Sequence, residues 1–459
     1  MSSGNDNVRK IGLFGCLTLG VGCIIGSGIF GSLPEVINEI GPAVVPALIV
    51  ATLVVIIRAI PGTMSASVVP VSGHYFMHQT KLIHPIMGIV EVGNTTLLTS
   101  MLALYGVLFA EYFIVLFPGC PLGELAIGCI FVTVFCGLGL FGNKISSDIQ
   151  NVLVLLLAAA LIMYSVLGLA SIETSQIAFI DIIKPGVGIT SFSAAVGVLT
   201  SSLSGGGACL DVADDVKNAR RNLPLALILS PLIVCILYVM MAVVTVSMGT
   251  DNLESLADIA EQFLSPSLMT AFVVLGPVMG IVTSFIPFLM MTIANMDFMA
   301  RERIFPGFFT KRNRYGIAWV CVLFAWVLTI LIIATGQTFG VIMVIFSFAN
   351  VMEETPLTLV PLIIRKRYPK SVAATPQLFN RTLIYILSAV GFVINAYLGI
   401  ELFMSMDTVS WIGVVVTYVA LFIYVGMRAM YLKKTENYDL LKEMGKPYEP
   451  WEEYERSLE

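Results

Sequence analysis

The chain is short of charge. Only 12% of its 459 residues are Asp, Glu, Lys or Arg, where a soluble domain keeps roughly 25% for its wetted surface. That deficit excludes an ordinary soluble fold. Histidine is scarce as well: three residues, all between 74 and 84. No nucleophile, base or metal cluster therefore converges inside the apolar segments, and an intramembrane enzyme is disfavoured. His74 and His78 stand four apart, but no acid or cysteine adjoins them, so no metal site is expected. The eight cysteines form no C-x-x-C pair and read as small packing residues. No cofactor is expected. The basic clusters at 301–314 and 365–370 read as topology signals beside anionic lipid, and no nucleic-acid partner is expected. No removable signal peptide is expected, because the polar start leads straight into an apolar run.

What fills the chain instead is apolar sequence: 57% of residues are hydrophobic and the mean hydropathy is +0.92. Runs of about twenty apolar residues suit helices crossing a hydrocarbon layer ~30 Å thick. The alternation of a transmembrane β-barrel is absent. The runs fall at 11–32, 42–69, 86–117, 122–141, 148–172 and 190–212, then at 223–247, 269–299, 316–335, 338–364, 382–402 and 409–432. The reading is an all-α integral membrane protein of about 12 transmembrane helices, with no separate soluble domain.

Basic residues set the orientation. With the N-terminus inside, one side receives Arg9, Lys10, Lys81, Lys144, the 301–314 and 365–370 clusters and the whole tail, and the other receives Lys184 alone. Residues 1–10 and 433–459 are therefore expected to be cytoplasmic. The tail segment YEPWEEYERSLE could lie on the membrane surface as a short amphipathic piece.

Two runs weaken their own helix where it should be strongest. Val21–Glu35 reads VGCIIGSGIFGSLPE, and Leu199–Asp211 reads LTSSLSGGGACLD. Each helical glycine costs about 1 kcal/mol relative to alanine, and neighbouring serines compete for the backbone. For Gly12, Gly15 and Gly20 close helix packing is the simpler reading. Contiguous glycines in the middle of both runs, five spans apart, point instead to interrupted helices at a midplane substrate site between inverted repeats.

A broken helix frees carbonyls at the end of its first half and amides at the start of its second. The amides suit a carboxylate; the carbonyls suit an ammonium group or a small cation. Ser27, Gly28 and Ile29 would hold the carboxylate of an amino acid. Cys23, Ile24 and the carbonyls around Ser201 to Ser204 would face its amino group.

These stretches make the chain resemble the amino acid–polyamine–organocation (APC) superfamily of transporters. IIGSGIFGSLP is similar to its glycine-serine-glycine signature, and VPVSGHYF (from Val69) to its P-x-S-G-x-x-Y segment. GGGACLDVADDVKNARRNLPLAL (from Gly205) and FMARERIFPGFF (from Phe298) resemble the segments after its sixth and eighth spans. The resemblance implies a LeuT-like fold, five helices repeated upside-down plus two at the end. The repeats would be 11–172 and 190–364, with the last two helices in 382–432. It places the carboxylate site on Ser27 and Gly28, with Gly26 beside them in the substrate site, and the amino-group carbonyl at Ile24. Ser201 falls at a gating position and Ser204 faces the substrate. Many relatives carry an aromatic and an acid within 205–207, where this chain has Gly205, Gly206 and Gly207. The missing acid argues against a diamine, and the missing side chains at Ser201 and Gly206 imply a roomy pocket.

Coupling is less defined. The lysine that some family members carry in the fifth span is absent. Thr283 and Ser284 could join carbonyls near Gly22 and Cys23 around sodium, or bond back to their own helix. Acids within spans are few. Glu111 could carry a coupling proton or snorkel to the outer surface, and Asp297 is expected to pair with Arg301 and Arg303. Arg58, inside the second run, needs a partner that the sequence does not name. The reading is a multi-pass secondary active transporter of the cell membrane. It would take a neutral amino acid, bulky and aromatic ones included, by symport of H+ or Na+ or by exchange. An amine or polyamine exchanger is the alternative, and a channel fits the broken helices poorly. Oligomeric state is left open.

Overall fold

The computed structural model describes residues 11–71, 73–141, 147–172, 187–207, 216–249, 253 and 255–458. Arg9, Lys10, Lys144 and Lys184 of the orientation count, the segment 1–10 and the end of the sixth run from 208 lie outside them. Among the described residues the fold is all-helical, with only two isolated bridges, Ile11 to Val216 and Arg312 to Ala318. Eight helical stretches are long and apolar enough to cross a bilayer, and three shorter apolar helices accompany them.

The first run divides into α1 (Leu13–Ile24) and α2 (Ser27–Ile40). A 3-10 turn, Gly41–Ala43, leads into α3 (Val44–Val68); Gly41 has φ 57, where a side chain would be strained. Next come α4 (His74–His78) and a single π-turn, Gln79–Ile83. The third run is hinged: α5 (Pro85–Leu98) and α6 (Ser100–Leu116) meet at Thr99, whose hydroxyl turns back to the Thr96 carbonyl at 2.6 Å. Then follow α7 (Glu124–Gly139), α8 (Ser147–Ser171), α9 (Ile189–Ser202) and α10 (Ala219–Met248). The loop carries α11 (Leu256–Ala260), opened by a capping box between Ser255 and Asp258.

The eighth run is α12 (Pro266–Val273), a π-turn at Val274–Val278 holding Pro277, and α13 (Met279–Arg301). After α14 (Trp319–Ala334), the tenth run splits into α15 (Phe339–Leu357) and α16 (Val360–Arg367), with Pro361 opening the second piece. The short α17 (Pro369–Ala374) precedes α18 (Arg381–Ser405) and α19 (Thr408–Glu436). The tail forms α20 (Leu440–Met444) and α21 (Glu449–Ser457).

In lipid an apolar side chain gains little by turning inward, so packing and buried polar contacts hold the bundle. Ile400, Met404 and Val409 point outward from α18 and α19 with more than half their surface open, as lipid-facing residues do. Inside, α6 and α7 close on each other at two glycines: a Cβ on Gly128 would sit 2.9 Å from the Gly106 carbonyl. Of the three glycines read as packing residues, Gly20 meets the Ser230 hydroxyl, whereas Gly12 faces open space.

The tail docks on the protein, which differs from a surface-lying piece. Trp451 is buried with its ring 5.5 Å from His78 and 5.0 Å from Tyr448. The Glu455 carboxylate accepts the Lys370 and Ser371 amides at 2.8 and 2.7 Å, at the start of α17. Burial would raise that carboxyl, but these bonds and the Ser371 hydroxyl hold it below its ordinary pKa.

Candidate functional site

The break between α1 and α2 can be followed one carbonyl at a time. Had the helix continued, Gly26, Ser27 and Gly28 would have donated to the carbonyls of Gly22, Cys23 and Ile24. Instead the Gly26 amide turns to Ile24 at 2.9 Å. The Gly22 carbonyl accepts the Ser284 hydroxyl from α13 at 2.8 Å. The Ile24 carbonyl also accepts the Tyr238 hydroxyl from α10 at 3.0 Å. Ile24, expected to face a substrate amino group, therefore already accepts two hydrogen bonds. An unanswered backbone group in hydrocarbon costs several kcal/mol, which is why buried hydroxyls gather here. The break's downstream side is the N-terminus of α2, whose first amides, Ser27, Gly28 and Ile29, have no intrahelical acceptor. Pro34 leaves the Phe30 carbonyl without its helical donor, and Tyr112 supplies one at 3.4 Å.

The second break follows Ser202. Leu203 closes α9, and Ser204–Gly207 wind as a 3-10 turn. The two breaks touch. A Cβ on Gly205 would lie 2.5 Å from the Cys23 carbonyl oxygen, and one on Gly28 would lie 3.1 to 3.3 Å from Ser202. Gly26 is similarly close to Ser284 and Tyr105. Gly206 has room, with nothing nearer than 3.8 Å. Ser32 and Ser202 hydroxyls join the halves at 3.0 Å.

A cavity of about 60 Å³ opens where the breaks meet. At ~10–15 Å³ of such space per water, it has room for roughly four to six waters. Cys23, Ile24, Gly28, Ser201, Ser204, Gly205 and Ser284 line it, so most of the expected site residues are brought together. Gly206 instead lines a neighbouring cavity of about 80 Å³, together with Arg58, His74 and Glu354. Tyr75 and Ser204 line both and form the partition. The Tyr75 hydroxyl donates to Glu354 at 3.1 Å.

Other residues sort differently from the sequence reading. Thr283 bonds back to Met279 and Gly280, at 2.9 and 3.2 Å, while its neighbour Ser284 reaches the first break. Glu111 is half-buried near the end of α6 and lines neither cavity. Asp297 pairs with Arg301 at 2.8 Å and Arg312 at 2.6 Å; Arg303 pairs with Glu436 instead. Arg58 finds its partner in the Ser204 hydroxyl, which itself donates to the Thr200 carbonyl at 2.5 Å.

Several cavity residues were not picked out from sequence. Asn350 on α15 lines the smaller cavity, is 9% exposed, and its amide oxygen has no hydrogen-bond partner among the described residues. Tyr105, Leu98, Met101, Phe288, Met291 and Phe346 form the rest of the wall. Glu353 lines it too, and Glu354 lines the neighbour. The cavities are therefore not free of carboxylates, and the glycine at 207 alone does not argue against a cationic substrate. The signal was ANVMEE, Ala349 to Glu354, a polar patch within an apolar run.

Residues 11–432 match the amino acid permease family. The chain belongs to that family. It is a transporter rather than an enzyme, and a multi-pass membrane protein. A methylthioribose transporter of Bacillus subtilis is 22% identical over 445 residues, which cover 90% of this chain and 92% of that one. The branched-chain amino acid permease BcaP of the same organism is 25% identical, over 66% of this permease and 69% of the relative. The chloroplastic cationic amino acid transporter 9 of Arabidopsis thaliana is 26% identical, over 68% and 58% respectively.

Proposed function

We propose that this permease is a secondary active transporter of neutral amino acids in the cell membrane, with both termini cytoplasmic. It would work by alternating access around the cavity between the two breaks, within 12 spans arranged as a LeuT-like 5+5 inverted repeat plus two. The carrying observation is that both mid-run breaks meet at one small cavity. The N-terminus of α2 borders it at Gly28, and Asn350, whose amide oxygen has no hydrogen-bond partner among the described residues, lines it. The α2 amides hold the carboxylate. The Asn350 oxygen and the Cys23 carbonyl take the ammonium. Leu98, Met101, Phe288, Met291 and Phe346 receive the side chain. A cavity of about 60 Å³ favours an aliphatic side chain over an aromatic one in this conformation. Glu354 is engaged by Tyr75, which favours a neutral substrate over a diamine. Parting of Tyr75 from Glu354, and of Arg58 from Ser204, joins the two cavities and opens one path out.

Uptake of labelled leucine, methionine, phenylalanine, lysine, putrescine and methylthioribose into proteoliposomes tests this. Concentrative leucine or methionine uptake is expected. Uptake of putrescine or methylthioribose without amino-acid competition overturns the substrate assignment. Thr283 bonds its own helix, so replacing sodium by choline is expected to leave the rate unchanged.

A further inference from the structure

The neighbouring cavity, about 80 Å³, is slightly larger than the substrate cavity. At ~10–15 Å³ of such space per water, it has room for roughly five to eight waters. Two charged side chains line it, Arg58 from α3 and Glu354 from α15. They do not meet. Arg58 reaches the Ser204 hydroxyl and Glu354 accepts the Tyr75 hydroxyl, and neither has an ion-pair partner among the described residues. Opposite charges that share one small space without pairing are costly to keep, because a buried charge is normally paired.

The arginine side of the cavity holds more than one unanswered donor. Arg58 is 6% exposed, and its Nη1 has no hydrogen-bond partner among the described residues. Ser65 stands seven residues further along α3, on the same face. It is 7% exposed, lines the same cavity, and its hydroxyl also has no partner among the described residues. Gly62 lies between them and leaves the space open, since a Cβ there would meet nothing within 4 Å. Buried donors without a partner call for an occupant. A guanidinium nitrogen and a hydroxyl on one helix face suit the two oxygens of a carboxylate. Glu354 supplies the opposite charge, and Leu223, Leu227 and Leu357 supply an apolar wall. His78 is turned to the Val69 carbonyl at 3.0 Å.

We infer that this cavity is a second amino-acid subsite, in which Arg58 and Ser65 take the carboxylate and Glu354 takes the ammonium of a substrate that has left the first. The inference rests on the transporter function proposed above. Tyr75 and Ser204, which form the partition, are also the residues that hold the two charges. An amino acid moving between them exchanges the Tyr75 hydroxyl on Glu354 for its own ammonium. It exchanges the Ser204 hydroxyl on Arg58 for its own carboxylate. Each exchange replaces a bond with one charged partner by a bond with two, which is the stronger kind. The substrate itself therefore favours parting of the partition. A diamine has no carboxylate and leaves Arg58 unanswered.

The test counts labelled leucine bound to the full chain in lipid nanodiscs by equilibrium dialysis. Wild type is expected to bind two leucines per chain. Glu354→Gln keeps an acceptor for the Tyr75 hydroxyl but removes the charge. It is expected to bind one leucine, with the affinity of the remaining site within about threefold of wild type. Ser65→Ala, a smaller change at the other end, is expected to weaken the second leucine about tenfold and leave the first unchanged. Leucinamide and 4-methylpentanoate each lack one of the two charges, and both are expected to displace the second leucine at least tenfold less well than leucine does. One leucine per wild-type chain overturns the inference, and so does a second leucine retained at full affinity in Glu354→Gln. Displacement by 4-methylpentanoate as readily as by leucine makes this a simple anion site and likewise overturns it. Wild type that binds no leucine, and moves none in proteoliposomes, brings down the transporter proposal instead.

Discussion

The two breaks resemble each other in sequence and differ in what answers them. At the first, two freed carbonyls accept neutral hydroxyls from other helices, Ser284 on Gly22 and Tyr238 on Ile24, and Gly205 packs closely against the Cys23 peptide. At the second, the guanidinium of Arg58 closes on Ser204, beside a cavity lined by two histidines and a glutamate. Arg58 is 6% exposed, and one of its terminal nitrogens has no hydrogen-bond partner among the described residues. Neutral hydrogen bonds between helices make a fixed platform. An incompletely answered charge makes a junction that can reopen, because its partner is worth only one hydrogen bond. The first break is therefore built for binding and the second for movement.

The largest effect should come from forcing the two apart. Gly205→Val places a side chain against the Cys23 peptide, where even a Cβ lies at 2.5 Å from backbone oxygen. Uptake is expected to fall at least a hundredfold, with membrane insertion intact. Gly206→Ala, with nothing nearer than 3.8 Å, should stay within twofold of wild type. Equal damage in both variants would mean that the turn needs glycine for flexibility rather than for contact. Gly28→Ala is the intermediate case, since its neighbours on Ser202 stand at 3.1 to 3.3 Å. It is expected to weaken substrate binding about tenfold in a scintillation proximity assay.

Stability should separate the breaks next. Ser204→Ala strands a buried guanidinium, and losing a hydrogen bond to a charged group costs roughly 1.5–3 kcal/mol. Tyr238→Phe removes one neutral donor from Ile24, which keeps the Gly26 amide, at about 1 kcal/mol. Thermal unfolding in detergent should therefore rank Ser204→Ala below Tyr238→Phe. The reverse order would make the first break the one that depends more on a single side-chain bond.

Most of the architecture was legible because apolar run length and glycine position are local signals. The ends of α3, α8 and α10 fall within about four residues of the runs read from sequence. The breaks at Gly26 and after Ser202 were legible for the same reason, since consecutive glycines and serines weaken a helix wherever it packs. What pairs with what was not legible. Arg58 and Ser204 are 146 residues apart, and Tyr238 lies 214 from Ile24. Nothing local distinguishes a hydroxyl that answers a distant carbonyl from one that, like Thr283, bonds its own helix. Glu353 and Glu354 are no more legible, although they stand within a run, because no motif flanks them. That they line the cavities appears only once α15 packs beside the two breaks.

The smallest expected difference between the breaks is electrostatic and reads out through pH. His78 lines the cavity beside the second break, and its ring stands 5.9 Å from His74 and 5.5 Å from Trp451. Burial first, and the neighbouring His74 second, push its pKa from 6.5 down to about 3, against a smaller opposing effect of the Val69 carbonyl. Between those two values the unfolded chain binds a proton that the folded one refuses. Stability from this group is therefore complete above pH 6.5 and is lost as pH falls towards 3. At pH 5.5, one unit below the unfolded value, the loss is about 1.4 kcal/mol. His78→Gln, which can still donate to Val69, should remove that part of the acid sensitivity and leave the first break untouched. An unfolding temperature that falls equally in both proteins between pH 7.5 and 5.5 would assign the sensitivity to other groups, and the second cavity would then be as indifferent to protons as the first break.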